Sequence, residues 1–123
     1  IFNAAVALKM PVSKLTEKAD SVMFCLSKGL SAPIGSLLCG TKKFIQKARK
    51  MRKMTGGGMR QVGHLAAAGL IALTDLTDRL SEDHKNAKTL AQGLENIPGI
   101  ELSLANIKTN IICFSLVWSV STS

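Results

Sequence analysis

The sequence predicts an α/β fold, because short apolar runs typical of buried strands alternate with longer segments at helical spacing. The chain has 123 residues, of which 46% are apolar, and its mean hydropathy is +0.22. This is enough apolar material for a packed core, so disorder is not expected. Aromatic residues make up only 4% and tyrosine is absent, so aliphatic and small side chains must fill most of that core.

The elements of the first third of the chain are short. Residues 3–8 read as a short helix, and Ser13 is predicted to cap one or two helical turns over residues 13–18. The run VMFCL (22–26) indicates a buried strand. APIGSLLCG (32–40), which contains a proline and two glycines, indicates a second short strand.

The later elements are longer and mostly helical. Residues 41–54 are predicted as an amphipathic helix that three glycines stop, and residues 61–80 as a helix that is apolar on almost every side. Ser81 is predicted to cap a third helix, and residues 100–104 and 110–117 read as strands. Since the all-apolar helix could hardly be covered by a chain of this length, we expect a longer protein or an obligate oligomer.

The net charge of +8 is concentrated in one segment. TKKFIQKARKMRKM (41–54) carries seven basic residues and no acidic ones, while the rest of the chain is close to balanced. Such a helix either has a simply solvated positive face or binds polyanions. No aromatic interleaving and no nucleic-acid-binding motif accompany it, so nucleic acid is not the expected partner.

Three cysteines and one long apolar stretch bear on where the protein resides. Cys25, Cys39 and Cys113 are far apart and each lies in an apolar run, which favours buried, reduced thiols and an intracellular compartment. The stretch VGHLAAAGLIAL (62–73) is too short to cross a bilayer. We therefore expect no membrane association.

Two histidines are present, and neither has a metal-ligand neighbour at a suitable spacing. His64 lies in the all-apolar helix and is predicted to be a packed, hydrogen-bonded side chain. His84 is predicted to be exposed. A metal site is therefore not expected.

Lys28 is the first candidate for chemistry, because it directly follows a buried strand and precedes a glycine. At the end of a strand in an α/β sheet, its amine can reach the crevice where ligands bind. A partly apolar site would lower the pKa of that amine and make it a nucleophile for Schiff-base formation. By spacing alone, the commoner alternative is a loop lysine whose amine reaches into solvent.

The glycine run in RKMTGGGMRQVGHLAAAGL (52–70) is the second candidate region. Three glycines permit close approach to a ligand or a neighbouring subunit. Arg60 then offers a planar fork that can hold a phosphate or carboxylate through two hydrogen bonds. The alternative is a simple helix stop followed by a surface charge.

The two segments SVMFCLSKGLSAPIGS (21–36) and RKMTGGGMRQVGHLAAAGL (52–70), in this order, resemble the threonine aldolase family of fold-type I enzymes that depend on pyridoxal 5'-phosphate (PLP). The resemblance extends from Ile1 to about Leu116. It implies that Lys28 holds the cofactor through a Schiff base and that Arg60 lies at the cofactor phosphate, near a subunit boundary. It also places Lys53 where it can add positive charge near the anionic cofactor and substrate.

The resemblance implies a fold and a reaction as well. Residues 1–80 would be the C-terminal part of a PLP-dependent transferase-like large domain, a mixed sheet flanked by helices, and residues 81–123 the start of a small α+β domain. The reaction would be retro-aldol cleavage of threonine or allo-threonine to glycine and acetaldehyde. The full-length parent would be a dimer or tetramer in the cytoplasm, with mitochondria as the other possible compartment.

The chain also departs from the family pattern. The aspartate that pairs with the pyridine nitrogen, and a nearby arginine, would lie just before the segment IFNAA (1–5), and neither histidine matches the one that stacks on the cofactor. The segment VWSVSTS (117–123) does not continue the small-domain pattern. We therefore expect little or no turnover by these residues alone. The alternative is a non-catalytic remnant or an interaction module whose helix 41–54 binds polyanions.

Overall fold

The computed structural model describes residues 1–117 and consists of five α-helices and two small pairs of antiparallel strands. In chain order these elements are α1 (Phe2–Leu8), α2 (Val12–Leu15), β1 (Ser21–Cys25), β2 (Ser36–Gly40), α3 (Lys42–Met54), α4 (Gly63–Thr74), α5 (Leu80–Glu95), β3 (Ile100–Glu101), a 3-10 turn (Leu104–Asn106) and β4 (Ser115–Leu116). The chain contains both helices and short strands, as the sequence predicts, in the order of two helices, two strands, three helices and two further short strands.

Strands β1 and β2 form an antiparallel hairpin in which Ser21 lies opposite Gly40 and Cys25 opposite Ser36. The connection between them is closed at its base, because the amide of Leu26 donates to the carbonyl of Gly35 at 2.8 Å. Both predicted strands are therefore present, although the second begins only after its proline and first glycine. The prediction that the first is buried is wrong, because alternate side chains of a strand face opposite sides and Ser21 and Met23 are exposed. This hairpin fixes the ten-residue stretch that contains the candidate lysine.

The first core cluster joins that connection to the helices. Its buried members are Leu26, Leu30, Ala32, Ala72 and Leu80. The rings of Phe2 in α1 and Phe24 in β1 meet edge to face, with centroids 5.1 Å apart, beside this cluster. The core therefore lies behind the β1–β2 connection, whereas the residues of β2 are all exposed.

A second core cluster lies further along α5, where Ala87 and Ala91 pack against Ile107. Helix α5 contributes to both clusters, because its first residue, Leu80, belongs to the first. The predicted boundary near residue 80 thus falls where one continuous helix begins. The division into two domains stays a prediction.

Helix α3 has a well-defined start and end. The hydroxyl of Thr41 accepts a hydrogen bond from the amide of Phe44 at 3.3 Å, as an N-cap does. At the other end, the amide of Gly56 donates to the carbonyl of Lys53 at 3.2 Å, and that of Gly57 to the carbonyl of Arg52 at 2.8 Å. This is a Schellman motif, and Gly56 has the left-handed conformation it requires, with φ +84°.

Both serine caps predicted from the sequence are wrong. Ser13 is the second residue of α2, because Pro11, with an extended backbone at φ −65° and ψ 145°, takes the N-cap position instead. Ser81 is the second residue of α5, and its hydroxyl donates to the carbonyl of Asp78 at 2.9 Å. The backbone already turns at Arg79, so the helix begins before the serine.

Three predicted elements are shorter in the structure. The helix expected over residues 61–80 ends at Thr74, because a polar turn over residues 75–79 separates α4 from α5. The strands expected over 100–104 and 110–117 are reduced to the two-residue strands β3 and β4. Between these strands the chain folds back through the 3-10 turn, which leaves few residues in register for pairing.

Helix α4 is covered on one side only. Gly69 and Ala72 are buried, whereas Leu70 and Ile71 are 64% and 55% exposed. Residues 1–117 therefore do not bury this helix completely by themselves, because they pack against only one side of α4. None of the helices described is long and apolar enough to cross a membrane.

Candidate functional site

Lys28 projects from a loop whose neighbouring residues are anchored in the core. Leu26 and Leu30 are buried at 6% and 2% exposure, while Lys28 itself is exposed. The amide of Ser31 donates to the carbonyl of Lys28 at 2.8 Å and closes a tight turn. Since the residues on both sides are fixed, the backbone of Lys28 has a defined position even though its amine is accessible.

Gly29 is clamped between two helices. A Cβ atom at this position would lie 3.0 Å from Leu80 Cδ2 and 3.2 Å from Asn3 Nδ2. A larger residue would therefore require Leu80 and Asn3 to move by a few tenths of an ångström. The glycine that follows the lysine thus permits close packing of the loop against α1 and α5.

The Lys28 side chain lines an open pocket of about 280 Å³ between α1, β1 and the start of α5. Its other lining residues are Ile1, Phe2, Asn3, Met23, Phe24, Cys25, Gly29, Leu30 and Leu80. Most of them are apolar, and among the residues described Lys28 is the one charged side chain in this lining. A primary amine beside aromatic and aliphatic walls can bind a planar carbonyl compound and react with it.

The structure places Arg60 and Lys53 away from the wall of this pocket, since neither belongs to its lining. Both are exposed. The Nζ atom of Lys53 lies 3.1 Å from where a Cβ of Gly58 would be, so its side chain folds over the glycine run. These two cations therefore belong to a separate basic surface at the end of α3, and their predicted roles remain predictions.

The glycine run is partly explained by local structure. Gly56 and Gly57 form the Schellman motif that ends α3, so the alternative of a helix stop holds for these two residues. Gly58 and the exposed Met59–Arg60 pair are not needed for the cap. Any ligand contact by this loop would come from them.

The two histidines differ from their predictions. His64 is hydrogen-bonded as expected, through Nδ1 to the carbonyl of Gln61 at 3.0 Å, but it is exposed, because α4 begins at the surface. His84 is half-buried, not exposed, and its Nε2 lies 2.8 Å from Asn3 Oδ1. Asn3, which lines the pocket, has no signal in the sequence, because its partner is 81 residues away.

The three cysteines are free, as predicted, but only Cys25 is even partly buried. Cys39 lies in β2, whose five residues are all exposed, and Cys113 before β4 is exposed as well, so the expectation of buried thiols is wrong for both. No group of three or more acidic, histidine or cysteine side chains that could bind a metal occurs in the part of the chain described.

The chain belongs to the beta-eliminating lyase family, whose model matches residues 1–116. It is 53% identical over 112 residues to low-specificity L-threonine aldolase 1 of Arabidopsis thaliana, covering 91% of this chain and 31% of that protein. It is also 53% identical over 94 residues to low specificity L-threonine aldolase of Escherichia coli K12, covering 76% and 28%. The chain thus spans about a third of the length of these relatives.

A solved structure shares the fold. The chain superposes with a TM-score of 0.74 on a crystal structure from Exiguobacterium sp. 255-15, assigned to the aromatic amino acid beta-eliminating lyases and threonine aldolases. The match covers 89% of this chain and 31% of that one, at 23% identity. The α/β fold, as part of a larger domain of this type, is therefore confirmed.

Proposed function

We propose that these 123 residues are part of a PLP-dependent lyase that cleaves threonine or allo-threonine to glycine and acetaldehyde, with Lys28 as the point of cofactor attachment. The supporting observation is the position of Lys28, fixed by buried neighbours at an apolar pocket. Membership of the family and the names of its aldolase relatives support the reaction.

The residues present fit one side of the cofactor. The Lys28 amine can bond to its aldehyde carbon, and the apolar side chains of Phe2, Phe24 and Leu30 in the lining can contact a planar ring. When bound, the cofactor accepts the electrons released as the Cα–Cβ bond of the amino acid breaks. The pocket lining contains no carboxylate, so a partner for the pyridine nitrogen has to come from outside the lining. For that reason these residues alone are expected to bind the cofactor without turnover.

Arg60 and Lys53 are assigned to the anionic groups of the cofactor and substrate, and we place them at the pocket of a second subunit. Both cations are exposed and neither lines the Lys28 pocket of its own chain. A dimer or tetramer in which the glycine loop of one copy meets the Lys28 pocket of another would bring these groups together. The three free cysteines support a reducing compartment, and we infer the cytoplasm.

The test is to incubate the purified chain with PLP, reduce with borohydride and map the adduct by mass spectrometry. We expect modification mainly at Lys28, and a loss of at least about a hundredfold in the Lys28→Arg variant, because a guanidinium cannot take over this reaction at neutral pH. Lys14→Arg is the control, since Lys14 pairs only with exposed Glu17 on the surface. Labelling spread over many lysines, or unchanged in Lys28→Arg, would contradict the proposal.

A second candidate function is polyanion binding by α3. All seven basic residues of this helix are exposed, and none takes part in the ion pairs formed within residues 1–117. Two of them, Lys42 and Lys43, lie in the first turn, where the helix dipole is unfavourable for cations. A bound polyanion would relieve both the mutual repulsion of these charges and the unfavourable dipole.

A further inference from the structure

We propose that Asn3 is a hydrogen-bond donor of the Lys28 pocket that contacts an acceptor oxygen of the group bound there, and that His84 holds its amide in the required orientation. This inference rests on the proposed function of Lys28. It adds a positioning pair drawn from α1 and α5, two helices that are far apart in sequence.

The contact between the two side chains sets the direction of the amide. His84 Nε2 lies 2.8 Å from Asn3 Oδ1 in a half-buried position. Because a carbonyl oxygen can only accept, Nε2 carries the proton and donates. Both the neutral Nε2–H tautomer and the imidazolium carry a proton on this nitrogen, so either form can donate to Asn3 Oδ1.

With its oxygen held by His84, Asn3 turns its NH2 group the other way. That nitrogen would lie 3.2 Å from a Cβ atom at Gly29, which places it beside the backbone that follows Lys28. Asn3 lines the same pocket as Lys28. No side-chain hydrogen bond found within residues 1–117 uses this nitrogen, so it can donate to a ligand.

A purely structural pair would only hold α1 against α5. The pocket indicates a further role, because Asn3 supplies an uncharged donor to the same lining that contains the Lys28 amine. Single polar groups among apolar side chains orient a ligand, since a misplaced acceptor loses its hydrogen bond on desolvation. The carbonyl oxygen of the compound leaves as water when Lys28 forms the Schiff base, so the expected ligand atom is another oxygen that the bound compound keeps.

The first measurement is by NMR on the full 123-residue chain, labelled with nitrogen-15. The side-chain amide signals of Asn3 are assigned from their loss in Asn3→Leu, and are followed as PLP is added and the Lys28 adduct is formed. We expect these signals to shift with adduct formation. Unshifted Asn3 signals in a chain that does form the adduct would overturn the inference while leaving the proposed function standing.

The second measurement compares apparent PLP affinities, read from the yield of reduced Lys28 adduct. We expect His84→Phe to weaken the affinity about tenfold, as the loss of one oriented hydrogen bond does, and His84→Gln, which keeps an N–H donor, to restore most of it. His64→Phe is the control, because His64 is exposed and bonds only to Gln61 nearby. An equally weakened PLP affinity in His84→Phe and His84→Gln would mean that His84 acts only by packing. That result would overturn the role proposed for His84. No adduct at Lys28 in the unsubstituted chain would overturn the proposed function, and this inference with it.

Discussion

At the scale of single residues, the position of a side chain depends on how its neighbours pack as much as on the residue itself. Lys28 is exposed, yet its backbone is fixed because Leu26 and Leu30 are buried on either side. Gly29 contributes in another way, since a Cβ there would lie only 3.0 Å from Leu80 Cδ2 and 3.2 Å from Asn3 Nδ2. The position of the lysine in the proposed site is therefore set by apolar or small neighbours.

Gly56 allows a residue-scale prediction about conformation alone. A Cβ at Gly56 meets nothing within 4 Å, but φ is +84°, where L side chains are strained. Gly56→Ala should lower the free energy of unfolding by about 1 kcal/mol, measured by urea denaturation.

Gly93→Ala is the matched control, because its Cβ also meets open space within helix α5 at an ordinary φ. There the change should raise stability by about 0.5–1 kcal/mol. Equal effects at both sites would mean that the left-handed turn is not formed in solution.

At the scale of elements, α3 is an amphipathic helix whose apolar side is only lightly covered. Ile45 and Ala48 are half-buried, while Met51 and Met54 are 56% and 68% exposed. Its opposite side carries the basic residues. The caps at Thr41 and Gly56 set its length, so the charges are presented along thirteen residues of regular helix.

The charge on α3 predicts a salt-dependent interaction. We expect the chain to bind heparin, with an affinity that falls linearly on a log–log plot against salt, because each contact releases counter-ions. Arg49→Gln combined with Lys50→Gln should reduce the slope by about two. Lys85→Gln combined with Lys88→Gln on α5 is the control with the same change of charge. A binding constant insensitive to salt, or equal losses in both double variants, would rule out α3 as the polyanion site.

At the scale of the whole molecule, the core of residues 1–117 is small. Nine apolar residues are buried and five of them are alanines, whereas twenty large apolar side chains of this span are exposed. Large exposed apolar areas mark surfaces that contact other protein. We therefore expect these open apolar faces to pack against further protein.

Helix α4 provides the test of that expectation. We expect the purified chain to self-associate, and Leu70→Lys combined with Ile71→Lys to weaken association by roughly 2 kcal/mol or more, measured by sedimentation at several concentrations. Thr89→Lys with Gln92→Lys adds the same charge on α5 without removing apolar surface. Similar association of the two double variants would show that net charge, and not the apolar face of α4, controls it.

The sequence by itself determined the α/β class, the presence of strands β1 and β2, helix α3 with its glycine stop, and the family. These features depend on local patterns: strand and helix periodicity, the left-handed conformation that glycine permits, and the order of two motifs. The antiparallel pairing of β1 with β2 was not predicted. Sequence reasoning failed at Ser13 and Ser81, because each helix begins before its serine, and at the strands after residue 99, because their pairing depends on a distant partner.

Only the tertiary structure decided which residues meet. It brought Asn3 to His84 across 81 residues, clamped Gly29 between two helices, and left Arg60 and Lys53 outside the Lys28 pocket of their own chain. The physical reason is that local propensity depends on near neighbours along the chain, whereas a pocket is formed by packing between elements. The motif around Lys28 predicts it as the lysine that holds the cofactor. The residues that line the pocket around its amine could not be predicted in the same way.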